Sequence, residues 1–410
     1  MAWLRPSASP SGGVDRGFAA LYLGSFLAYG DRYLIVPILV LIATDFHVSL
    51  GAASAVATLY LLLYGALQFF YGLATDRFGR VKIMRMALVG IALADAVAAL
   101  APNLGSLVVV RGIAAAFTAG IVPTSFVYVG DNVPFERRQR VIANVLAAGS
   151  LGTVVAIVGA GLLGRYASWR LVFLLPAVLA AVDVVLLARL PESHAGHHSG
   201  GIRRQLRKVL SQRWAVFLIV LALFEGAAML TFITFLAPAL QVQGVSSAVA
   251  GLVVAAYGVA AFFALQGLKA MLARGRVSSV FTIAVGGATL VAAYVLAGAS
   301  QTVAIILVAS VLIGVGYSFM HSSLQTWATE VVPEARGTAV SLFVTAVYSG
   351  SSLAHVAVAP LASTHRFGTL FVSGACIAAP VVVVAGVARS RFRSGGAQRP
   401  SGSLQAPGSD

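Results

Sequence analysis

Gly72-Leu73-Ala74-Thr75-Asp76-Arg77-Phe78-Gly79-Arg80-Val81-Lys82 joins an apolar run at 51 to 75 to another at 83 to 101, with four charges between Asp76 and Lys82. A connection this short and this charged, between runs of that length, reads as a turn at a membrane surface. A helix needs about 20 apolar residues to cross the hydrocarbon, and in lipid only helices and closed barrels satisfy their own backbone polar groups. Outward from this turn the same unit recurs. Apolar runs at 17 to 42, 51 to 75, 83 to 101, 104 to 129, 141 to 164, 169 to 190, 214 to 240, 246 to 271, 277 to 298, 301 to 328, 337 to 362 and 367 to 390 predict an all-α membrane protein of twelve transmembrane helices.

Composition agrees with this. Of 410 residues, 59% are hydrophobic and 10% charged, too few polar groups to cover a water-soluble surface. A net charge of +15 would suit nucleic acid only if the basic side chains gathered on one face. They are instead distributed in small packets between apolar runs, and no nucleic-acid partner is expected. The single cysteine, Cys376, excludes an intramolecular disulfide and a cysteine metal site. No metal triad, nucleophile elbow or phosphate-binding glycine loop stands out, so neither an enzyme nor a bound cofactor or metal is expected. The polar, basic residues 1 to 16 precede an apolar run of span length without a small-residue cleavage site, which reads as a retained first helix.

Loop charge gives an independent test, because short cytoplasmic loops keep Lys and Arg and translocated ones shed them. One alternate set of loops holds Arg77, Arg80, Lys82 and Arg85, then Arg137, Arg138 and Arg140, then Arg203, Arg204, Arg207, Lys208 and Arg213, then Lys269, Arg274 and Arg276. The opposite set holds only Arg165, Arg170 and Arg366. The alternation predicts an even number of spans, both termini cytoplasmic, in a cell's inner membrane.

The longest polar stretch, 191 to 213, divides a cytoplasmic segment 1 to 16 and a six-helix bundle 17 to 190 from a second bundle 214 to 390 and a Gly-, Ser- and Pro-rich tail 391 to 410, expected to be disordered. The Ser-His-Ala-Gly-His-His run at 193 to 198 reads as solvated linker rather than as a metal site. The halves match at a shift near 200 positions. Leu34-Ile35-Val36-Pro37-Ile38-Leu39 aligns with Phe235-Leu236-Ala237-Pro238-Ala239-Leu240 at a shift of 201, and Val133-Pro134-Phe135-Glu136-Arg137 with Val332-Pro333-Glu334-Ala335-Arg336 at a shift of 199.

The loop from Gly72 to Lys82 resembles the signature loop of the major facilitator superfamily. Its second-half equivalent, from Leu265-Gln266-Gly267-Leu268-Lys269 to Gly275-Arg276, keeps glycine and basic residues but not the acid. Trp169-Arg170-Leu171-Val172-Phe173 and the two Pro-x-x-Arg loops are similar to the same family. The resemblance implies two pseudo-symmetric six-helix bundles and a transport function by alternating access. It also implies a cytoplasmic gate in which Gly72, Asp76, Arg77, Gly79 and Arg80 take part, with Asp76 near the amino end of span eleven at Gly337 and Thr338, where a helix dipole favours an acid.

Charges inside the spans carry the functional reading, since each costs roughly 2.5 to 3.5 kcal/mol at mid-bilayer on insertion scales. They are Asp31, Arg32, Asp95, Arg111, Asp183 and Glu225. Arg111 in span four is the expected partner of Asp31 in span one. Leu107-Val108-Val109-Val110-Arg111 resembles the family segment that carries an arginine linked to proton transfer, though Ala114 and Ala115 replace the polar residue and glycine that usually follow. Asp31, Arg32, Arg111 and Glu225 are therefore assigned to proton coupling or substrate, with a fixed structural pair as the alternative. Asp95 and Asp183 read equally well as structural groups, His321 and His355 as proton carriers or packing groups, and Tyr33, Phe126, Tyr128, Phe232 and Phe235 as an aromatic pocket. Two functions remain: proton-coupled efflux of a drug-like or metabolite molecule, or proton symport of an organic anion with Arg32 meeting the carboxylate. Against the first, span five carries Gly149, Gly152, Gly159, Gly161 and Gly164 without the proline that such exporters often show. The expected partners are a small-molecule substrate, protons and the bilayer, with the proton gradient as energy source and the chain a monomer.

Overall fold

The computed structural model describes residues 11–193, 202–275 and 277–392, with side chains at all of these except 11–17, 72, 73, 76, 135 and 202. The first residues of the amino-terminal segment, the histidines of the linker and all but the start of the tail lie outside the described residues. Among the described residues, ten helical stretches are long and apolar enough to cross a membrane: Phe18–Asp45, Leu50–Tyr71, Leu104–Asn132, Glu136–Tyr166, Arg213–Gln241, Ser247–Ala273, Ser279–Ala299, Val303–Glu330, Pro333–Ser363 and Phe367–Arg391. Two further helices, Arg80–Ala99 and Leu171–Leu187, pack into the same bundle. The first carries Arg80, Lys82, Arg85 and Asp95 and the second has 17 residues, which is why each falls short by charge or by length. In chain order these are spans 1 to 12. The first helix begins at Ser11, earlier than its apolar run, and the polar linker holds a short helix, Ile202–Leu210, that hydropathy does not reveal.

The sequence repeat has a spatial counterpart. Span 1 packs on span 5 as span 7 packs on span 11; span 2 lies on 4 as 8 on 10, and 3 on 6 as 9 on 12. Two further crossings, 5 on 8 and 2 on 11, tie the halves together. Spans 3, 6, 9 and 12 turn Leu93, Val178, Val295 and Val383 outward, each more than half exposed, so their apolar surface is available to lipid.

Small residues set these crossings. With no hydrophobic drive between helices in lipid, close backbone approach and van der Waals packing hold a bundle together. At Gly350 in span 11 a Cβ would stand 1.7 Å from the Leu223 carbonyl oxygen, and at Gly152 in span 5 it would stand 2.1 Å from that of Phe26. The pairing repeats between halves: Gly112 of span 4 meets Leu59 of span 2, and Gly314 of span 10 meets the Tyr257 carbonyl of span 8.

Spans 1, 4, 7 and 10 are broken helices. Span 1 gives way after Tyr33 to a 3-10 turn at Val36–Ile38 around Pro37, which has no N–H to donate. Span 7 breaks between Met229 and Ile233, and span 4 between Thr118 and Ile121. Span 10 carries a single π-helical turn, Tyr317–His321, a device found mostly at functional sites. The breaks in spans 1, 4 and 7 are buried, whereas the π-turn of span 10 buries Ser318 and Met320 and turns Tyr317 and His321 to the cavity.

Gly350→Ala is expected to destabilise the folded protein by about 1–3 kcal/mol through overpacking of spans 7 and 11. Gly386→Ala, where a Cβ meets nothing within 4 Å, is expected to change nothing. Thermal unfolding of the two purified variants checks the contrast.

Candidate functional site

Arg111 stands where spans 1, 3 and 4 meet. Its Nη1 donates to Asp31 Oδ1 and to Asp95 Oδ1, both at 2.6 Å, and its Nη2 donates to the Asp31 carbonyl oxygen at 2.8 Å. The guanidinium lies over the rings of Tyr60 and Phe173, at 4.7 and 5.2 Å. Tyr60 OH donates to Asp31 Oδ2 at 2.7 Å. All three charged groups are buried, while Asp95 Oδ2 and Arg111 Nε have no hydrogen-bond partner among the described residues. The first helical part of span 1 ends two residues beyond Asp31, at Tyr33. The expected pairing of Asp31 with Arg111 is present as a contact, and Asp95, which the sequence leaves between a functional and a structural role, completes it.

Charge counting makes this cluster unusual. With both carboxylates ionised and one guanidinium, it carries a net negative charge where water is scarce. Ions cost several kcal/mol each to desolvate, even after relaxation. One proton on either carboxyl makes the cluster neutral. A void of about 20 Å³ lined by Arg111, Tyr60, Arg32 and Leu230 touches it, with room for about one water.

Arg32, adjacent in sequence, points elsewhere. Its guanidinium sits among the rings of Tyr29, Tyr33, Tyr64 and Tyr348, at 4.8 to 5.5 Å from their centroids, and donates to Tyr348 OH; its Nε has no partner among the described residues. Arg32 is 8% exposed. Three of those tyrosines, 29, 64 and 348, form the roof of the main cavity.

That cavity holds about 700 Å³ between the halves, within the range of small-molecule sites. From its tyrosine roof it runs past Gln68, Phe126, His321 and Gln325 to Gln205 of the linker helix and Thr338 at the start of span 11, so it opens toward the linker end. The opposite end is shut. There Gln241 Nε2 donates to the Pro37 carbonyl at 2.6 Å, the Gly51 N–H to Ser363 Oγ at 3.2 Å, and Ser247 Oγ to the Gly161 carbonyl at 3.0 Å, all across the halves. Gly51 and Gly251 are one repeat apart, and a Cβ on either would collide with span 11 or span 5 respectively.

No Asp, Glu, Lys or Arg lines this cavity among the described residues. Asp31 and Glu225 both stand behind its wall, where neighbouring helices supply hydrogen-bond donors. Glu225 in span 7 meets His321 Nδ1 at 2.9 Å through its Oε1, while its Oε2 has no partner among the described residues. His321 lies on the π-turn and reaches the cavity, so it stands between the acid and open space. His355 is a packing group, bonded to the Ser351 carbonyl at 2.9 Å and Thr234 Oγ1 at 3.0 Å. Asp183 has neither oxygen partnered among the described residues. Of the expected aromatic pocket, only Phe126 lines the cavity; Tyr33 lies on the small void, and Tyr128, Phe232 and Phe235 are core.

The Gly72–Lys82 loop tightens to one residue between helices. Gly79 adopts φ +94°, open to glycine at little cost, and a Cβ there would fall 2.7 Å from Glu192 Oε1. Glu192 accepts from the Val81 and Lys82 N–H groups, both at 2.9 Å, where an acid suits a helix start. Arg80 is buried and its Nε donates to Asp131 at 3.2 Å, tying span 3 to span 4, whereas Arg77 is exposed. The expected latch from Asp76 to span 11 involves a side chain outside the described residues.

The profile of the Major Facilitator Superfamily matches residues 21–355. The chain belongs to the major facilitator superfamily. It is a transporter and not an enzyme. Its relatives include a triacylglyceride transporter of Mycolicibacterium hassiacum, 31% identical over 189 residues, covering 45% of this chain and 35% of that protein. Another is an uncharacterised MFS-type transporter, YybF, of Bacillus subtilis, 22% identical over 42% of this chain and 43% of that one. The match thus spans between a third and a half of the length of these relatives. The fold is similar to a bacterial homologue of the human lysosomal transporter Spinster in an inward-facing, unoccupied conformation, with TM-score 0.76, 18% identity, and coverage of 94% of this chain and 98% of that one. It is also similar to the nucleoside transporter NupG, with TM-score 0.74, 14% identity, and coverage of 91% and 99%.

Removing Arg111 alone strands two buried carboxylates, which typically costs about 3–5 kcal/mol. R111M is accordingly expected to lose folded yield and thermal stability, and the triple variant D31N/D95N/R111M to recover most of both. Equal loss in the two proteins, by size-exclusion profile and unfolding temperature, would contradict the charge balance.

Proposed function

We propose that this chain is a proton-coupled secondary transporter of the inner membrane that exports a drug-like or metabolite molecule of lipophilic character by alternating access. One observation carries the reading: Arg111 is shared by two buried carboxylates, so the cluster is short of one positive charge that a proton supplies. With the basic linker end on the cytoplasmic side, the cavity opens inward and the far contacts form the outer closure. A cavity of aromatic, aliphatic, Gln, Ser and Thr side chains with one histidine, His321, suits a cargo with little charge, and relatives named as triacylglyceride transporters support a lipophilic one.

Proton binding bears on the gate through helix geometry. Asp31 lies one turn before the broken part of span 1, and that part bonds Gln241 of span 7 at the outer closure. Neutralising the cluster weakens the Arg111–Asp31 attraction and frees span 1 to move against span 4. A proton descending 100 mV supplies about 2.3 kcal/mol per charge, enough for severalfold accumulation against a gradient. Glu225 and His321 offer a second protonatable pair with access to the cavity through the imidazole.

Proton symport of an organic anion is the second reading, and one observation favours it. Arg32 lies directly behind the tyrosine roof with its Nε unpartnered among the described residues, one tyrosine layer from the cargo space.

In proteoliposomes with an imposed pH gradient, the wild-type chain is expected to concentrate its cargo and move protons with it. D31N is expected to lose pH-driven accumulation while retaining exchange, and full pH-driven transport by D31N would refute the coupling role. The direction of net cargo flux separates export from symport, and R32Q should abolish transport only if the cargo is anionic.

A further inference from the structure

The linker helix Ile202–Leu210 reads Ile-Arg-Arg-Gln-Leu-Arg-Lys-Val-Leu, with two opposed faces. Val209 is buried against Ala215, Val332, Ala335 and Ala339, which seats the helix on the ends of spans 7 and 11. Gln205 Oε1 accepts from Thr338 Oγ1 at 2.7 Å, a second tether at the mouth of the cavity. Arg203, Arg204, Arg207 and Lys208 are exposed, and no carboxylate pairs with any of them among the described residues. The nearby acid Glu334 is likewise exposed and unpaired with them.

Position turns this charge into a binding surface. Leu210 ends the helix and Arg213 begins span 7 three residues later. Three residues reach at most about 10 Å, so the helix is held at the depth of the lipid headgroups. That is close to one Debye length at physiological salt, about 8 Å. A seated helix with a basic outer face at this depth matches the charge of an anionic leaflet, and each Lys or Arg there adds severalfold to the attraction.

We infer that the basic face of the linker helix is a docking surface for anionic phospholipid headgroups, and that lipid bound there holds the helix against span 11 at the cavity mouth. The inference is independent of the cargo, of the direction of transport and of proton coupling.

Hydrogen exchange of the full chain in nanodiscs tests it, comparing phosphatidylcholine alone with a mixture containing phosphatidylglycerol. The expected result is at least tenfold slower exchange over 203–210 in the anionic discs at low salt, lost in about 0.5 M NaCl, where screening is nearly complete. The same slowing should be absent from R203Q/R204Q/R207Q/K208Q, with exchange in spans 7 and 11 reporting that the variant is folded. Should that variant not fold, R203Q/R207Q carries the comparison with a smaller loss of the same sign. Equal exchange in both disc types overturns the inference, as does undiminished protection in the linker variants. Protection removed only by R137Q/R138Q/R140Q would assign the lipid to another loop and also overturn it. So would protection reproduced in phosphatidylcholine discs by soluble glycerol phosphate, or by polyglutamate as a stand-in for an acidic protein.

Discussion

A guanidinium enclosed with two carboxylates, away from bulk water, has few arrangements open to it, and Arg111 fixes three helices in one of them. Its bonds to Asp31 and Asp95, and to the backbone of Asp31, link spans 1, 3 and 4 where the helix of span 1 is about to break. A buried ion pair is weak evidence for stability, because desolvation offsets much of the attraction. It is better evidence for a state that depends on protonation. Under the proposed coupling, a single proton corrects the imbalance of two acids against one base and changes how strongly span 1 is held.

The surrounding bundle is built so that such a change can be expressed. Glycines at the crossings of spans 1 with 5 and 7 with 11 let the helices touch backbone to backbone. The breaks in spans 7 and 10 reach the cavity through Leu230, Tyr317 and His321 and that of span 1 borders the small void beside Arg111, as irregular backbone in membranes does where it lines a cavity or is buried in protein. Closure at the far end rests on a few hydrogen bonds and on the Gly51 and Gly251 contacts, which the repeat duplicates.

Much of this was legible in the residues because each signal acts locally. Span length and loop charge fix the bundle without tertiary information, and the 200-residue repeat fixes its symmetry. Arg80–Ala99 needed context, since three basic residues and Asp95 lower its hydropathy while the turn before it is what identifies the pair of helices. Asp31 and Arg111 were recognisable as expensive charges in apolar runs. Their third member, Asp95, was visible as a charge but not as a partner, because 16 positions and a turn separate it from Arg111. A separation of 96 positions likewise hid the pairing of Glu225 with His321. Tyr64 and Tyr348, which roof the cavity, carry no sequence signal that separates them from core aromatics such as Phe235. The amphipathic linker helix escaped notice because its nine residues are polar in the mean and apolar only on one side.

The central claim is that the Asp31–Arg111–Asp95 cluster stores one exchangeable proton. Infrared difference spectroscopy of the lipid-reconstituted protein, titrated in pH with aspartate carboxyls isotope-labelled, reads this directly. In a D183N background, which removes the Asp183 carboxyl that is unpartnered among the described residues, the account predicts one aspartic-acid carbonyl band that appears and disappears with pH and is lost when either Asp31 or Asp95 is made an amide. A spectrum in which no such band titrates, or in which the titrating band survives both substitutions, would contradict it.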